Sequence, residues 1–428
     1  MPDTIISVKD AATLAKAIEQ KAATIEIEGK IAELSSVRLP AGTNVRGAGA
    51  GAELHFKEGQ PGLMLSANHQ ISGLRLVADE TQIAIGLSDD AEDLGDLTIS
   101  NVRTVGRFHL EASTAKRGNL KLDSIHVERA DARMAAHRPA GFGVEVLLGG
   151  LSVYNASKNK ASRWTLEAHK LSGGSKDHPL CGSGVFIFGG WFIPVDADPA
   201  QAPAPTQEGG AIELKLATTG EIHTDGGIPK GTGNLITGGV FIGSGVHAHS
   251  VVNEGPVTTY GPNDMVLDNW GKIDTWTAQD KVVSRGSSGI GFVNFGDIDG
   301  LNIKAAIETH GIGARGFNLY DGSLKKAEFQ SITTYGDGAI GVQLSKPFGS
   351  ITIAGDIRTK GGEGESLVRG KVIHLKAHAL SLKPGTRGEK FSVAGRVVAE
   401  NKDVEDYDFA APANVISQFD VSAKKVTS

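Results

Sequence analysis

Between residues 257 and 367 the chain alternates apolar and polar positions in short runs, and the runs return at a fixed interval. The segments IETHGIGARGFNLYDGSLKKAEFQS (307–331) and ITTYGDGAIGVQLSKPFGSITIAGD (332–356) are each 25 residues long. Both open Ile-x-Thr-x-Gly and place glycine, then Phe or Val, at the tenth and eleventh positions. Aligned on (Ile/Val)-x-(Thr/Ser)-x-Gly, the interval gives Thr259, Ser284, Thr309, Thr334 and Thr359, each 25 residues on. IHTDG, with Thr224, lies 35 residues before Thr259 and reads as a unit carrying a ten-residue insertion. Each unit holds three alternating runs of four or five residues, as in IETH, GFNLY and KAEFQ. That is strand length, not helix length. Three short strands per repeat, stacked unit on unit, predict an all-β chain folded as a parallel β-helix (β-solenoid) with coils of about 25 residues.

Stacking brings equal positions together, so columns can be read directly. The first position is Val257, Val282, Ile307, Ile332, Ile357, and the eleventh is Leu267, Phe292, Phe317, Val342, Leu367. Both are expected to face the core, with the Thr/Ser column beside them. Asn269 and Asn294 share position thirteen and predict an asparagine ladder. Glycine at position five predicts a turn with positive φ.

The first half repeats less regularly. ISGLRL (71–76), ISNVRT (99–104) and LDSIHV (122–127) read as one strand on successive coils. GFGVEVLLGG (141–150), GSGVFIFGG (182–190) and GGVFIGSG (238–245) read as inner strands. The excursions 151–180 and 191–215 are expected to wall a lateral groove, the second carrying a Pro/Ala-rich loop at 194–210. Residues 8–22 have helical apolar spacing with Asp10 as N-cap, and predict a helix that closes the first coil. The whole chain, 1–428, reads as a single domain with regular coils over 222–402 and a cap or tail over 403–428.

Composition narrows the function. The chain has 43 basic and 49 acidic residues in 428, with no basic run, which argues against a nucleic-acid partner. One cysteine, Cys181, excludes an internal disulfide. No apolar stretch is long enough for a membrane helix, and no secretory signal opens the chain. A cytoplasmic location is the default expectation, with signal-independent export left open.

The helix at 8–22, IEIEGKIAEL, VRLPAGTNVRGAGAGAELHF and NHQISGLRL follow one another over about the first 80 residues. In order and rhythm this opening resembles the pectate-lyase-like (pectin lyase-like) right-handed parallel β-helix superfamily. The resemblance implies a right-handed helix and a carbohydrate-active enzyme, lyase or glycoside hydrolase, acting on a poly- or oligosaccharide in a lateral groove. Its pectate lyases pair a calcium-binding aspartate cluster with an arginine base. The signatures WxDH and RxPxxR are absent here, and only His310-Gly311 matches the polygalacturonase elements, so neither catalytic set carries over. No cofactor is assigned, and calcium is left open.

Candidate chemistry therefore comes from outward columns. Position four reads Asp225, Tyr260, Arg285, His310, Tyr335, Lys360, and position two includes Glu308. Tyr260, Arg285 and Tyr335 suit sugar stacking and hydroxyl or carboxylate contacts, as do the aromatics Trp270, Phe295 and Tyr320 at position fourteen. Asp264, Asp268, Glu308, His310 and Arg315 are expected to gather beside the turn after the first strand as the catalytic candidates. There Glu308 or Asp264 serves as acid or base, and Arg315 neutralises a substrate carboxylate. Neither His310 nor Arg315 is expected in the core. Asp274 and Asp299 should stack one coil apart, raising one carboxyl's pKa. His247 and His249 put two imidazoles on one strand face, but the spacing supplies no third ligand and no metal site is assigned. The alternative reading is non-catalytic: a glycan-binding, adhesin-like or tailspike-like β-helix. A homo-oligomer is left open.

Overall fold

The computed structural model describes residues 5–88, 91–135, 137–190, 193–194, 209–368 and 371–421. The chain is built almost wholly of strands laid side by side in long parallel ladders, as in a β-solenoid. One passage shows how. Val257–Thr259, Asp264–Asn269 and Lys272–Ala278 are followed by Val282–Ser284, which returns to lie on the first. Val257 pairs with Val282, Leu267 with Phe292, and Ile273 with Ile298. We refer to the three resulting stacks as the first, second and third ladders. Later on, one continuous strand, Asp297–Thr309, serves the third ladder and then the first, bending at a register shift between Ile303 and Ala306.

The inward columns explain why apolar residues recur. Val257, Val282, Ile307, Ile332 and Ile357 are all fully buried, and so are Leu267, Phe292, Phe317 and Val342. Each residue's neighbours in the core come from the coils above and below, so identical positions must be compatible with one another. The hydroxyl column from Thr224 to Thr359 is paired in register throughout and fully buried. Thr334 donates to the Ala339 carbonyl at 2.9 Å, whereas the Ser284 and Thr309 hydroxyls have no hydrogen-bond partner among the described residues. Asn269 donates to Asn294 at 2.8 Å, and Asn294 donates on to the Gly296 carbonyl, so the asparagine pair ties adjacent turns together.

Two kinds of glycine do different work. At position five, Gly286, Gly311, Gly336 and Gly361 do not have positive φ, contrary to expectation. A Cβ there would lie 1.7–2.0 Å from the carbonyl oxygen of the glycine one coil back. They are glycines because neighbouring turns touch. The left-handed backbone falls two residues after Gly261, Gly286, Gly311 and Gly336, at Asn263, Ser288, Gly313 and Gly338.

The ladders extend through the less regular parts. Ile71, Ile99 and Leu122 lie in register, as do Leu74, Val102 and Ile125. Towards the N-terminus a helix, Ala11–Glu19, buries Leu14 and Ala17. Asp10 accepts from the Thr13 amide at 2.8 Å, and the Asp10 amide donates back to the Thr13 hydroxyl at 3.3 Å, a reciprocal cap of about 1 kcal/mol. At the other end, Tyr407–Phe409 and Ile416–Val421 add strands to the second and third ladders. No helix among the described residues is long and apolar enough to cross a membrane.

Three expectations require correction. The strand of the second ladder is Gly149–Asn155, and only the end of GFGVEVLLGG enters it; Ala140–Gly141 and Val144–Val146 instead pair with each other as a hairpin. Residues 151–180 are not an excursion, because Arg163–Gly173 lies between Arg117–Arg129 and Ala211–Asp225 in the third ladder. Most of 191–215, including the greater part of the Pro/Ala-rich loop, lies outside the described residues. Finally, Leu367 is not on the second ladder. Glu363–Val368 and Lys371–Lys376 form an antiparallel hairpin that leaves the stack, and Leu380 takes the place beside Val342.

Candidate ligand-binding cleft

Two hairpins frame a cleft on the outer face of the second ladder: 140–146, whose second strand also pairs with Leu235 and Ile236 of that ladder, and 363–376, which leaves the stack. Phe142 and Val144 form one wall, and Ile373 and Leu375 the other. Met265, Ile290, Phe295 and Tyr320 contribute apolar floor, and the volume is about 430 Å³. The space suits a small ligand or a short segment of a polymer. A second apolar cluster supports this floor from outside the coil core, and includes Val146, Phe186, Phe241, Trp270 and Val293.

The aromatic residues at position fourteen are partly covered. Trp270 meets Phe295 at 5.8 Å between ring centroids, and Phe295 meets Tyr320 at 4.7 Å. Phe142 crosses over them, 5.0 Å from Trp270 and 4.6 Å from Phe295. Trp270 is buried, while Phe295 and Tyr320 still line the cleft.

Arg315 is the most unusual group here. It was expected outside the core, yet it is only 6% exposed. Its Nε donates to Gln343 Oε1 at 3.2 Å, and Nη1 donates to the Gly313 carbonyl at 3.2 Å and the Ser366 hydroxyl at 3.3 Å. Ser366 belongs to the hairpin wall, so the wall helps to hold the guanidinium. No carboxylate pairs with Arg315 among the described residues, and burial pushes its pKa down to about 10. A buried charge without a counter-charge is costly, and an incoming anion relieves that cost.

The other catalytic candidates do not join it. Asp264 is fully buried and accepts from the Thr237 hydroxyl at 2.6 Å and from the Gly226 and Gly261 amides at 3.0 and 2.7 Å. It fastens a turn, and burial raises its pKa to about 7 against those three donors. Asp268 is also sealed, and neither carboxyl oxygen makes a hydrogen bond among the described residues. Burial raises its pKa well above the ordinary carboxylate range; the nearby Trp270 indole, which pulls the other way, is too poorly placed to bond it.

Glu308 and His310 lie on the first ladder, 3.7 Å apart. There the outward column forms a ladder of its own. His310 stacks on Tyr335 at 4.5 Å and 6°, and the Lys360 ammonium sits 4.6 Å from the Tyr335 ring centroid. Tyr260 shares a 2.9 Å hydrogen bond with His223. Burial and then Arg285 lower the His310 pKa, outweighing Glu308. These side chains largely serve one another.

Asp274 and Asp299 occupy matching places on adjacent strands, as expected, but each carboxylate turns to another partner. Asp274 is hydrogen-bonded to His247 and His249, which hold its pKa down, and Asp299 pairs with Lys325 at 2.7 Å. Sequence reasoning missed Phe142, Gln343, Ser366 and the 363–376 hairpin as parts of the cleft. An apolar, alternating hairpin inserted between two repeats has the same local signature as the strands it interrupts.

Fold and cleft together describe a parallel β-solenoid with a lateral, largely apolar cleft and one buried cation. No family model, curated protein or solved structure matches this chain.

Proposed function

We propose that this chain is a right-handed, pectate-lyase-like parallel β-helix, capped by the helix Ala11–Glu19, whose lateral cleft binds a carboxylate-bearing oligosaccharide segment. The observation that carries the ligand class is Arg315, a buried guanidinium that opens on an aromatic floor and has no acidic partner among the described residues. With Nε and Nη1 already engaged, Nη2 is left to donate to a ligand carboxylate, while Phe295 and Tyr320 offer faces to the apolar side of a sugar ring. Asn318 and Gln343 supply amide groups for hydroxyls. Right-handedness follows the general preference of parallel crossovers.

Binding is favoured over cleavage. Glycoside hydrolysis needs two carboxyl groups flanking the bond, and no carboxyl side chain lines the cleft among the described residues. Calcium, which the resemblance leaves open, does not fit either, because it takes six to eight oxygen ligands including carboxylates. A lyase reading rests on the lowered pKa of Arg315, which would make it a better proton acceptor than an ordinary guanidinium. At about 10, however, only about one Arg315 in a thousand is deprotonated at pH 7.

The test is a glycan array containing neutral and uronic-acid oligosaccharides, followed by calorimetry on any hit with wild type and Arg315→Gln. Acidic glycans should bind, and Arg315→Gln should weaken them at least tenfold, about 1.4 kcal/mol. Equal binding by the variant, or selection of neutral glycans only, would refute the assignment. Appearance of unsaturated or shortened products would replace binding by catalysis.

A further inference from the structure

On the outer face of the third ladder, away from the cleft, four side chains from three adjacent strands converge. Glu213 lies opposite His247 in register, and His249 follows on the same face of the same strand. Asp274 comes from the next strand. Its two oxygens each hold one imidazole: Oδ1 meets His247 Nε2 at 2.9 Å, and Oδ2 meets His249 Nδ1 at 2.6 Å. That leaves His247 Nδ1 and His249 Nε2, and both turn towards Glu213. The first is 3.6 Å from Glu213 Oε2, and the second is in direct contact with Oε1. The two rings are 4.5 Å apart between centroids.

We propose that Glu213, His247 and His249 bind a divalent late first-row transition-metal ion, such as zinc, with Asp274 orienting both imidazoles from the opposite side. The donor atoms of the three ligands already lie within 4.8 Å of one another. Zinc bonds of about 2.0–2.2 Å bring such donors to roughly 3–3.5 Å, which partly exposed side chains reach by small rotations. Metal-bound histidines almost always give their second nitrogen to a carboxylate or carbonyl, and Asp274 does this for both rings at once. The charges agree as well. Two carboxylates and two neutral imidazoles carry two negative charges, which one divalent ion balances. Imidazole donors favour zinc, copper, nickel or cobalt over calcium and magnesium. Two histidines and one carboxylate on a solvent-facing ribbon leave a coordination position for water or an exogenous ligand.

The site is independent of the cleft, so either can fail without the other. The test is zinc titration of the full chain, free of any affinity tag and stripped with chelator, by calorimetry. One equivalent should bind. His247→Asn combined with His249→Asn should reduce affinity at least 100-fold, and Glu213→Gln at least tenfold. Asp274→Asn, which touches no metal, should cost about 10–100-fold. The imidazole resonances of His247 and His249 in the wild type should shift on zinc addition, a readout that stands even if a variant fails to fold. Absence of a stoichiometric event, or zinc binding unchanged in the double variant, would overturn the proposal.

Discussion

Asp264 and Asp268 show how differently one residue type behaves four positions apart on a single strand. The first has three donors and closes a turn, whereas the second has no hydrogen bond and sits against apolar neighbours. For both, burial raises the folded-state pKa above the unfolded value near 4. Their contribution to stability is then fully present below pH 4 and fades as pH rises, for Asp264 through about 7. The buried His69 and the half-buried His126 work in the opposite sense, since their lowered pKa values favour folding as pH rises. The Asp268 effect is therefore isolated by a difference. Asp268→Leu, close in shape and needing no hydrogen bond, should be more stable than wild type by about 1–3 kcal/mol near neutrality. The gap should widen between pH 4 and 7, as measured by urea unfolding. A variant equally or less stable across that range would mean that Asp268 has a partner after all. The sequence marked both aspartates as chemically interesting but could not tell that they are sealed, because their neighbours come from other coils: Gly226 and Thr237 beside Asp264, and Phe241 and Val293 in register beside Asp268.

At the scale of elements, the regular interval was readable wherever every turn used the same number of residues. From Val257 to Thr359 each strand of the first ladder lies on its counterpart 25 residues away, whereas in the third ladder Ile298 meets Leu324 and Leu324 meets Phe348, one residue more and then one fewer. The count fails after Thr359, where Ile357 pairs with Val397 across the inserted hairpin. The predicted place of Leu367 was lost for that reason: periodicity records spacing, and an insertion resets it without a local signal. Glu363 and Lys376 pair directly at the base of the hairpin. Replacing 364–375 by a short turn should thus leave the ladders in place and the far-ultraviolet dichroism unchanged. It should also remove the Ile373–Leu375 wall and the Ser366 contact to Arg315, and reduce glycan binding at least tenfold by calorimetry. Retained affinity would place the ligand elsewhere.

Across the whole molecule, contacts run almost entirely between coils that are neighbours in the stack, so stability is close to a sum of coil and interface contributions. Phe292 packs against Trp276 at 5.1 Å, and Phe317 against Phe329 at 4.8 Å, with Phe292 and Phe317 themselves 6.1 Å apart. Phe317→Ala should cost about 3–5 kcal/mol. Hydrogen exchange should show the lost protection centred on the strands around 290–344 and fading with distance along the stack. A uniform loss from 5 to 421 would show instead that the stack unfolds as one unit. The hydroxyl and branched aliphatic columns were legible because the same side chain meets its own kind one coil away. The cleft was not, because nothing local marks which outward face a distant hairpin will cover.

The close approach of successive glycine turns at Gly261, Gly286, Gly311 and Gly336 has one more consequence. Each turn is shaped by the turn beneath it, and the same surface is then offered to the turn above. Excising 282–306 would seat Ile307 on Val257 with its Thr-x-Gly in the same seat that Val282 had occupied, leaving a shorter rod with both ends unaltered. Gene duplication or loss in steps of that length can therefore tune the length of this protein without any new interface having to arise.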